Sequence, residues 1–176
     1  MGDPRRHRKK YSTPRHPWEK SRMDAEDELL RKYGMRRKRE VWRAETVLRN
    51  FRRQARLLLS ASGAQAEREA GQLLSRLRRL GLIGSEGTLD DVLGLSIEDI
   101  LNRRLQTIVH KKGLANSPRQ ARQLIVHGHI QIGGRKVTVP SYLVTAEEEG
   151  KIGYVPDSPF ARGSERVGEA KASEEG

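Results

Sequence analysis

Leu101 to Val144 reads LNRRLQTIVHKKGLANSPRQARQLIVHGHIQIGGRKVTVPSYLV, and no other stretch says as much about the architecture. Leu101, Leu105, Ile108 and Val109 fall at i, i+4, i+7 and i+8, the stripe of one helix, which Ser96 and Asp99 open at capping-box spacing. Gly113, behind Lys111 and Lys112, suits a left-handed C-terminal cap with cations on the negative helix end. Ser117-Pro118 then supplies an N-cap and a proline at the first helical position. This second helix runs to about His127, with Ala121, Leu124 and Ile125 as its apolar side, and stops at Gly128. The period now changes from helical to alternating: His129 to Ile132, a Gly133-Gly134 turn, and Lys136 to Val139, closed by Pro140. The expected module is helix, turn, short helix and β-hairpin, held together because no part can bury enough apolar surface alone.

The charge of this module is one-sided. Between Asp99 and Glu147 lie 47 residues without Asp or Glu, where an even spread of the chain's 23 acids would place about six. The same window holds eight bases (Arg103, Arg104, Lys111, Lys112, Arg119, Arg122, Arg135 and Lys136) and three of the five histidines. Cations without neutralising partners repel one another, so the expectation is that a polyanion supplies the missing charge.

R-R-L-Q-T-I-V, G-L-A-x-S-P-R-Q-A-R-Q-L-I, H-G-H-I-Q-I-G-G-R-K-V and V-P-S-Y-L-V together resemble the small RNA-binding domain named after small-subunit ribosomal protein S-four, over roughly residues 103–145. That domain also occurs in pseudouridine synthases, a tyrosyl-tRNA synthetase appendage and ribosome-recycling heat-shock proteins. The resemblance implies RNA contacts at Arg103, Arg104, Lys111, Lys112, Ser117, Arg119, Gln120, Arg122, Gln123, His127 and His129. It is specific for RNA, not for one partner.

Composition narrows the alternatives. The chain has 176 residues, a formal net charge of +12, no cysteine and 5% aromatic residues. Few aromatics argue against a platform that works mainly by stacking bases and favour backbone and shape recognition through Arg and Lys. Without cysteine there is no disulfide, cysteine nucleophile or cysteine-ligated zinc. No apolar run approaches the roughly 20 residues that cross a bilayer, and the basic N-terminus lacks the apolar core of a secretory signal. The cytoplasm is the expected compartment.

Residues 1–20 carry Arg5, Arg6, Arg8, Lys9 and Lys10 among prolines and are expected to form an extended arm, unstructured when free. Tyr11 and Trp18 can pack on a sugar, a base or the protein's own helices. A short helix is predicted over Ser21 to Tyr33, with Asp24, Glu26, Asp27 and Glu28 complementing its N-terminal dipole. The longest helix is predicted from Arg36 to about Ala61, where Val41, Ala44, Leu48, Phe51, Ala55 and Leu58 make a buried stripe. Between them stand Arg36, Arg37, Lys38, Arg39, Arg43, Arg49, Arg52, Arg53 and Arg56, which Glu40 and Glu45 are too few to pair, so phosphate contacts are expected there too. Gln65 to Leu80 and Thr88 to Gly94 are the remaining helical segments, and Lys151 to Val155 alternates as a returning strand beside the hairpin.

Y-S-T-P-R-H-P-W-E-K, Y-G-M-R-R-K-R-E-V-W-R and L-R-N-F-R-R-Q-A-R-L-L are similar to the archaeal and eukaryotic branch of the S-four ribosomal family itself, extending the likeness to about residue 156. The fold class expected is mostly α plus a small α+β part. Its divisions are an arm (1–20), a helical rRNA-binding domain (21–100), the S-four-type module (101–156) and an extended tail (157–176). The resemblance implies a primary rRNA-binding protein of the small subunit that nucleates assembly of the body and influences decoding accuracy. Its implied partners are small-subunit rRNA and neighbouring ribosomal proteins near the mRNA entry, with no membrane, small-molecule substrate, cofactor or metal.

Enzymatic readings find no support in the motifs. There is no G-x-G-x-x-G or Walker loop, no H-E-x-x-H and no serine-centred elbow, and an RNA-modifying enzyme needs a further catalytic domain. The rival readings are an extra-ribosomal tRNA- or rRNA-binding adaptor and a basic helical protein–protein adaptor.

Overall fold

The structure, a computed structural model, describes residues 9–161. Among the described residues eight helices and three strands run in the order α1 (Lys20–Lys32), α2 (Lys38–Ser60), α3 (Ala64–Arg79), α4 (Leu89–Gly94), α5 (Ile97–Asn102), α6 (Leu105–Lys111), α7 (Pro118–Val126), β1 (Ile130–Ile132), β2 (Arg135–Lys136), α8 (Ala146–Glu149) and β3 (Ile152–Tyr154). The mostly helical class with a small sheet is the expected one. No helix among the described residues is long and apolar enough to cross a membrane.

Two apolar cores organise the chain. Val41, Ala44, Leu48, Phe51 and Ala55 of α2 are buried as their spacing predicts, and they pack with Leu73, Leu77, Val92, Ile100 and Leu101. Burying a Val, Leu or Phe side chain stabilises by about 1.5–3 kcal/mol, so this stripe explains why so cationic a helix stays docked. Leu105, Ile108, Val109, Ala121, Leu124, Ile125, Ile130 and Ile132 form the second core, closed by Val144 and Ile152.

The sheet is antiparallel in the order β2-β1-β3. Gln131 opposes Lys136 on one side and Gly153 on the other, so the returning strand lies where its alternation predicted. Gly133 and Gly134, at φ 55° and 80°, make the hairpin turn. The ladder is shorter than expected: beyond Lys136 only the Val137 N–H still reaches Ile130 O, and Val139 is exposed.

Two expectations about the helices change. The stripe from Leu101 to Val109 does not belong to one helix, because the chain breaks at Arg103 and Arg104. There the backbone pairs with residues 140–144 instead: Leu105 N–H donates to Tyr142 O, Gln106 N–H to Pro140 O, and Val144 N–H to Arg103 O. Leu101 thereby enters the first core and Leu105 the second. The acids of α1 do not serve its dipole, since the helix begins at Lys20 and its first turn holds none. Glu26 is instead buried, receiving the Trp42 indole N–H at 2.9 Å and an Arg22 guanidinium N–H.

Residues 9–19 carry no helix or strand, and several of them contact α1 and α2. The Tyr11 ring lies 6.0 Å from Trp42, and Ser12 N–H donates to Thr46 Oγ1 at 3.1 Å. Arg22 holds the carbonyls of His16 and Pro17. Of the two aromatics, Tyr11 uses the protein's own helix and Trp18 remains 88% exposed. Arg5, Arg6, Arg8 and the tail beyond Ala161 lie outside the described residues.

Candidate nucleic-acid interface

A cleft of about 430 Å³ runs between α2, α7 and residues 140–143. Its charged lining is Arg37, Arg39, Arg43, Arg104 and Arg122 around a single acid, Glu40. The first turns of α2 project the three arginines from its solvent side, while α7 presents Arg122 from the other wall. Ser117 fixes the start of α7 by accepting from Gln120 N–H at 3.2 Å.

Glu40 ties the two walls together. Its carboxylate accepts from Arg104 Nη2 at 2.5 Å and from Arg122 Nη1 at 3.0 and 3.1 Å. Burial works to raise the Glu40 carboxyl, but hydrogen bonds and charge from Arg122 and Arg104 outweigh it and hold the carboxyl below its ordinary range. Arg104 is only 6% exposed and also reaches Met35 Sδ. Beside this clamp, the buried Gln106 amide donates to the carbonyls of Tyr33, Gly34 and Pro118.

The acid-free window is therefore not free of acids in space. Arg104 and Arg122 find Glu40, more than sixty residues earlier in the chain. Arg103 pairs with Glu149 at 2.6 Å and donates to Val144 O, and Lys112 reaches the Glu149 carbonyl. For Arg103, Arg104 and Arg122 the expectation of unpartnered cations is corrected, and the same holds on α2 for Lys38, which pairs with Asp27 at 2.9 Å. Lys112 and Arg52 meet only neutral carbonyls, those of Glu149 and Leu95, so their charges stay uncompensated among the described residues. Arg49 pairs with Glu45, but both ends are well exposed and such pairs are worth roughly 0–1 kcal/mol.

Other predicted cations remain available. Arg36, Arg37, Arg39, Arg53, Arg56, Lys111 and Arg119 are exposed, and none has a carboxylate partner among the described residues. Arg43 and Lys9 lie over the Tyr11 ring, at 6.0 and 5.0 Å, and Lys10 is exposed. Of the polar candidates, Gln120 accepts from Asn116 N–H with its side-chain oxygen, His129 Nδ1 lies 3.1 Å from Ser158 Oγ, and Gln123 and His127 are exposed. Sequence reasoning missed Glu40, Gln106 and Phe160. The signal for Glu40 was its isolation between Arg36 and Arg43; nothing local marked the other two.

Two family descriptions match adjoining stretches of the chain: the ribosomal protein S4/S9 N-terminal domain over residues 5–102 and the S4 domain over residues 103–149. Among similar proteins, the small ribosomal subunit protein uS4 of Methanococcus aeolicus is 55% identical over 99% of this chain and 100% of its own. Those of Thermoplasma volcanium and Methanococcus vannielii are 56% and 57% identical over 92% of this chain, and over 82% and 91% of theirs. With the helical unit, the small sheet-bearing unit and likeness along nearly the whole length, the chain belongs to the uS4 family of small ribosomal subunit proteins.

Proposed function

We propose that this protein is a structural constituent of the small ribosomal subunit, working in the cytoplasm as part of the ribosome, and that it acts by binding rRNA rather than by catalysis. The observation that carries this reading is the cation-lined cleft whose single carboxylate is already doubly engaged, flanked by exposed arginines on α2 and α7. Such a surface suits phosphates brought from two directions. Arg36, Arg37, Arg39, Arg43, Arg53, Arg56, Lys111 and Arg119 are the direct phosphate contacts in this reading, and Arg122 serves both rRNA and Glu40. Arg103, Arg104, Lys38 and Arg52 support the surface from within. The same proposal extends, with family likeness as its support, to early binding that fixes rRNA helices, contacts with ribosomal proteins near the mRNA entry and an influence on decoding accuracy.

Sucrose-gradient sedimentation of a cell extract tests the proposal. The protein is expected to migrate with the small subunit and to leave that fraction after RNase treatment. Migration at the top of the gradient in untreated extract would overturn it in favour of a protein adaptor.

A further inference from the structure

On the face of α7 next to Arg119, away from the cleft that holds Arg122, opens a second, smaller recess of about 150 Å³, lined by Gln120, Gln123, Leu124, His127, His129 and Phe160. None of these is Lys or Arg, so the recess is not built for a phosphate. Leu124 is buried at its base and Phe160, 43% exposed, stands at one wall. The remaining lining is amide and imidazole, groups that donate and accept in one plane.

Phe160 is held in place. Ser158, only 5% exposed, sets its hydroxyl 3.1 Å from His129 Nδ1 and accepts from Phe160 N–H at 3.3 Å. Ala161 N–H closes the turn onto Ser158 O. The Phe160 ring meets His129 edge to face at 5.0 Å and stacks with Tyr154 at 6.4 Å. At the rim, the Gln120 oxygen is occupied by Asn116 N–H, which leaves its amide hydrogens to donate outward. The backbones of Gln123 and His127 bond to each other, but their side chains have no hydrogen-bond partner among the described residues, the His127 ring lying 6.5 Å from that of His129.

We propose that this recess receives one unstacked nucleobase of the RNA, its face against Phe160 and its edge read by Gln120, Gln123 and His127. The inference rests on the rRNA-binding reading and adds a class of contact to it. An aromatic face beside in-plane donors and acceptors is how proteins hold a base splayed out of a loop or bulge. The volume falls below the roughly 300 Å³ at which pockets for drug-sized ligands begin, which suits a base with its sugar and phosphate left outside. Arg119, exposed and next to Gln120 in the first turn of α7, stands where the backbone of the same nucleotide would run. That cation favours RNA over an aromatic side chain from a neighbouring protein.

The test uses the full chain and a small-subunit rRNA transcript, with binding measured over a salt series and bases probed by dimethyl sulfate and carbodiimide. Phe160→Ala is expected to weaken binding about tenfold, in the range for loss of one stacked base, and to leave the salt dependence unchanged because no counterion is involved. Phe160→Tyr is expected to restore it. One base protected by the wild-type chain should become reactive with Phe160→Ala and with Gln123→Ala, the latter changing only an exposed side chain. Arg119→Ala should instead flatten the salt dependence. Wild-type affinity and an unchanged footprint for both Phe160→Ala and Gln123→Ala would overturn the base pocket, leaving the recess to a protein partner, while a flattened slope for Arg119→Ala would keep the rRNA reading standing. Failure of the wild-type chain to bind the transcript would sink both.

Discussion

Replacing Glu40 separates the cations that hold the protein together from those that hold RNA. Its carboxylate serves Arg104, whose side chain is 7% exposed, and Arg122, at 27%. Removing one partner of a fully buried pair costs about 3–5 kcal/mol; the residual solvent access of Glu40 and Arg122 lowers the expectation for Glu40→Ala to about 2–3 kcal/mol. Glu40→Gln keeps one acceptor and should cost about half as much. Urea unfolding followed by circular dichroism measures both. RNA binding supplies the sharper criterion, because the two accounts differ in sign. On charge alone, deleting a carboxylate among five arginines strengthens polyanion binding. If Glu40 sets where Arg104 and Arg122 stand, Glu40→Gln binds rRNA several-fold more weakly, with the salt slope unchanged. Stronger binding together with unaltered stability would refute the clamp. The pH dependence follows from the lowered carboxyl: its contribution is present above the ordinary value of 4.5 and is lost as pH falls through the depressed folded value. The stability gap between wild type and Glu40→Gln should therefore close in acid.

Arg119→Ala should weaken rRNA binding and reduce the magnitude of the log K against log salt slope by about 0.7–0.9, the signature of one lost phosphate contact; an unchanged slope would remove Arg119 from the interface. Gln106→Ala strips the donor from three carbonyls in a buried seam and is expected to cost about 1–3 kcal/mol in urea unfolding, with the salt slope of RNA binding intact. Gly34→Ala and Gly128→Ala both place a side chain at positive φ, but they meet different neighbours. A Cβ at Gly34 would come within 2.7 Å of Pro118 Cβ and 2.9 Å of its carbonyl carbon, whereas at Gly128 the obstruction is the end of the Lys136 side chain, which can swing away. Thermal melts should show Gly34→Ala as clearly the more damaging; equal shifts would mean that the two units do not press together at Pro118.

Elements were legible where a local pattern had a local cause. The α2 stripe, the Ser117-Pro118 start of α7, the glycine turn and the capping box at Ser96 each rest on residues within a few positions of one another. The break between α5 and α6 was not legible, because its cause lies some forty residues away, in the carbonyls of Pro140 and Tyr142 that take the Gln106 and Leu105 N–H groups. A heptad-like stripe continued across that break by coincidence of spacing. Its two halves face different cores, a distinction that periodicity cannot carry.

The charge pattern failed in the same way, and the failure is informative. A run without acids says only that no acid is near in sequence; Glu40 and Glu149 approach from either side of it in space. They select Arg103, Arg104 and Arg122, the cations nearest the seam between the two cores, and leave Arg119 and Lys111 to solvent. Burying an arginine is tolerable only with a carboxylate to meet it, whereas an exposed one awaits whatever anion the surroundings provide. Two units that each needed a basic outer face could be joined through their basic sides only by placing an acid between them. Glu40 stands in the most cationic turn of α2 because that is the turn against which the second unit closes.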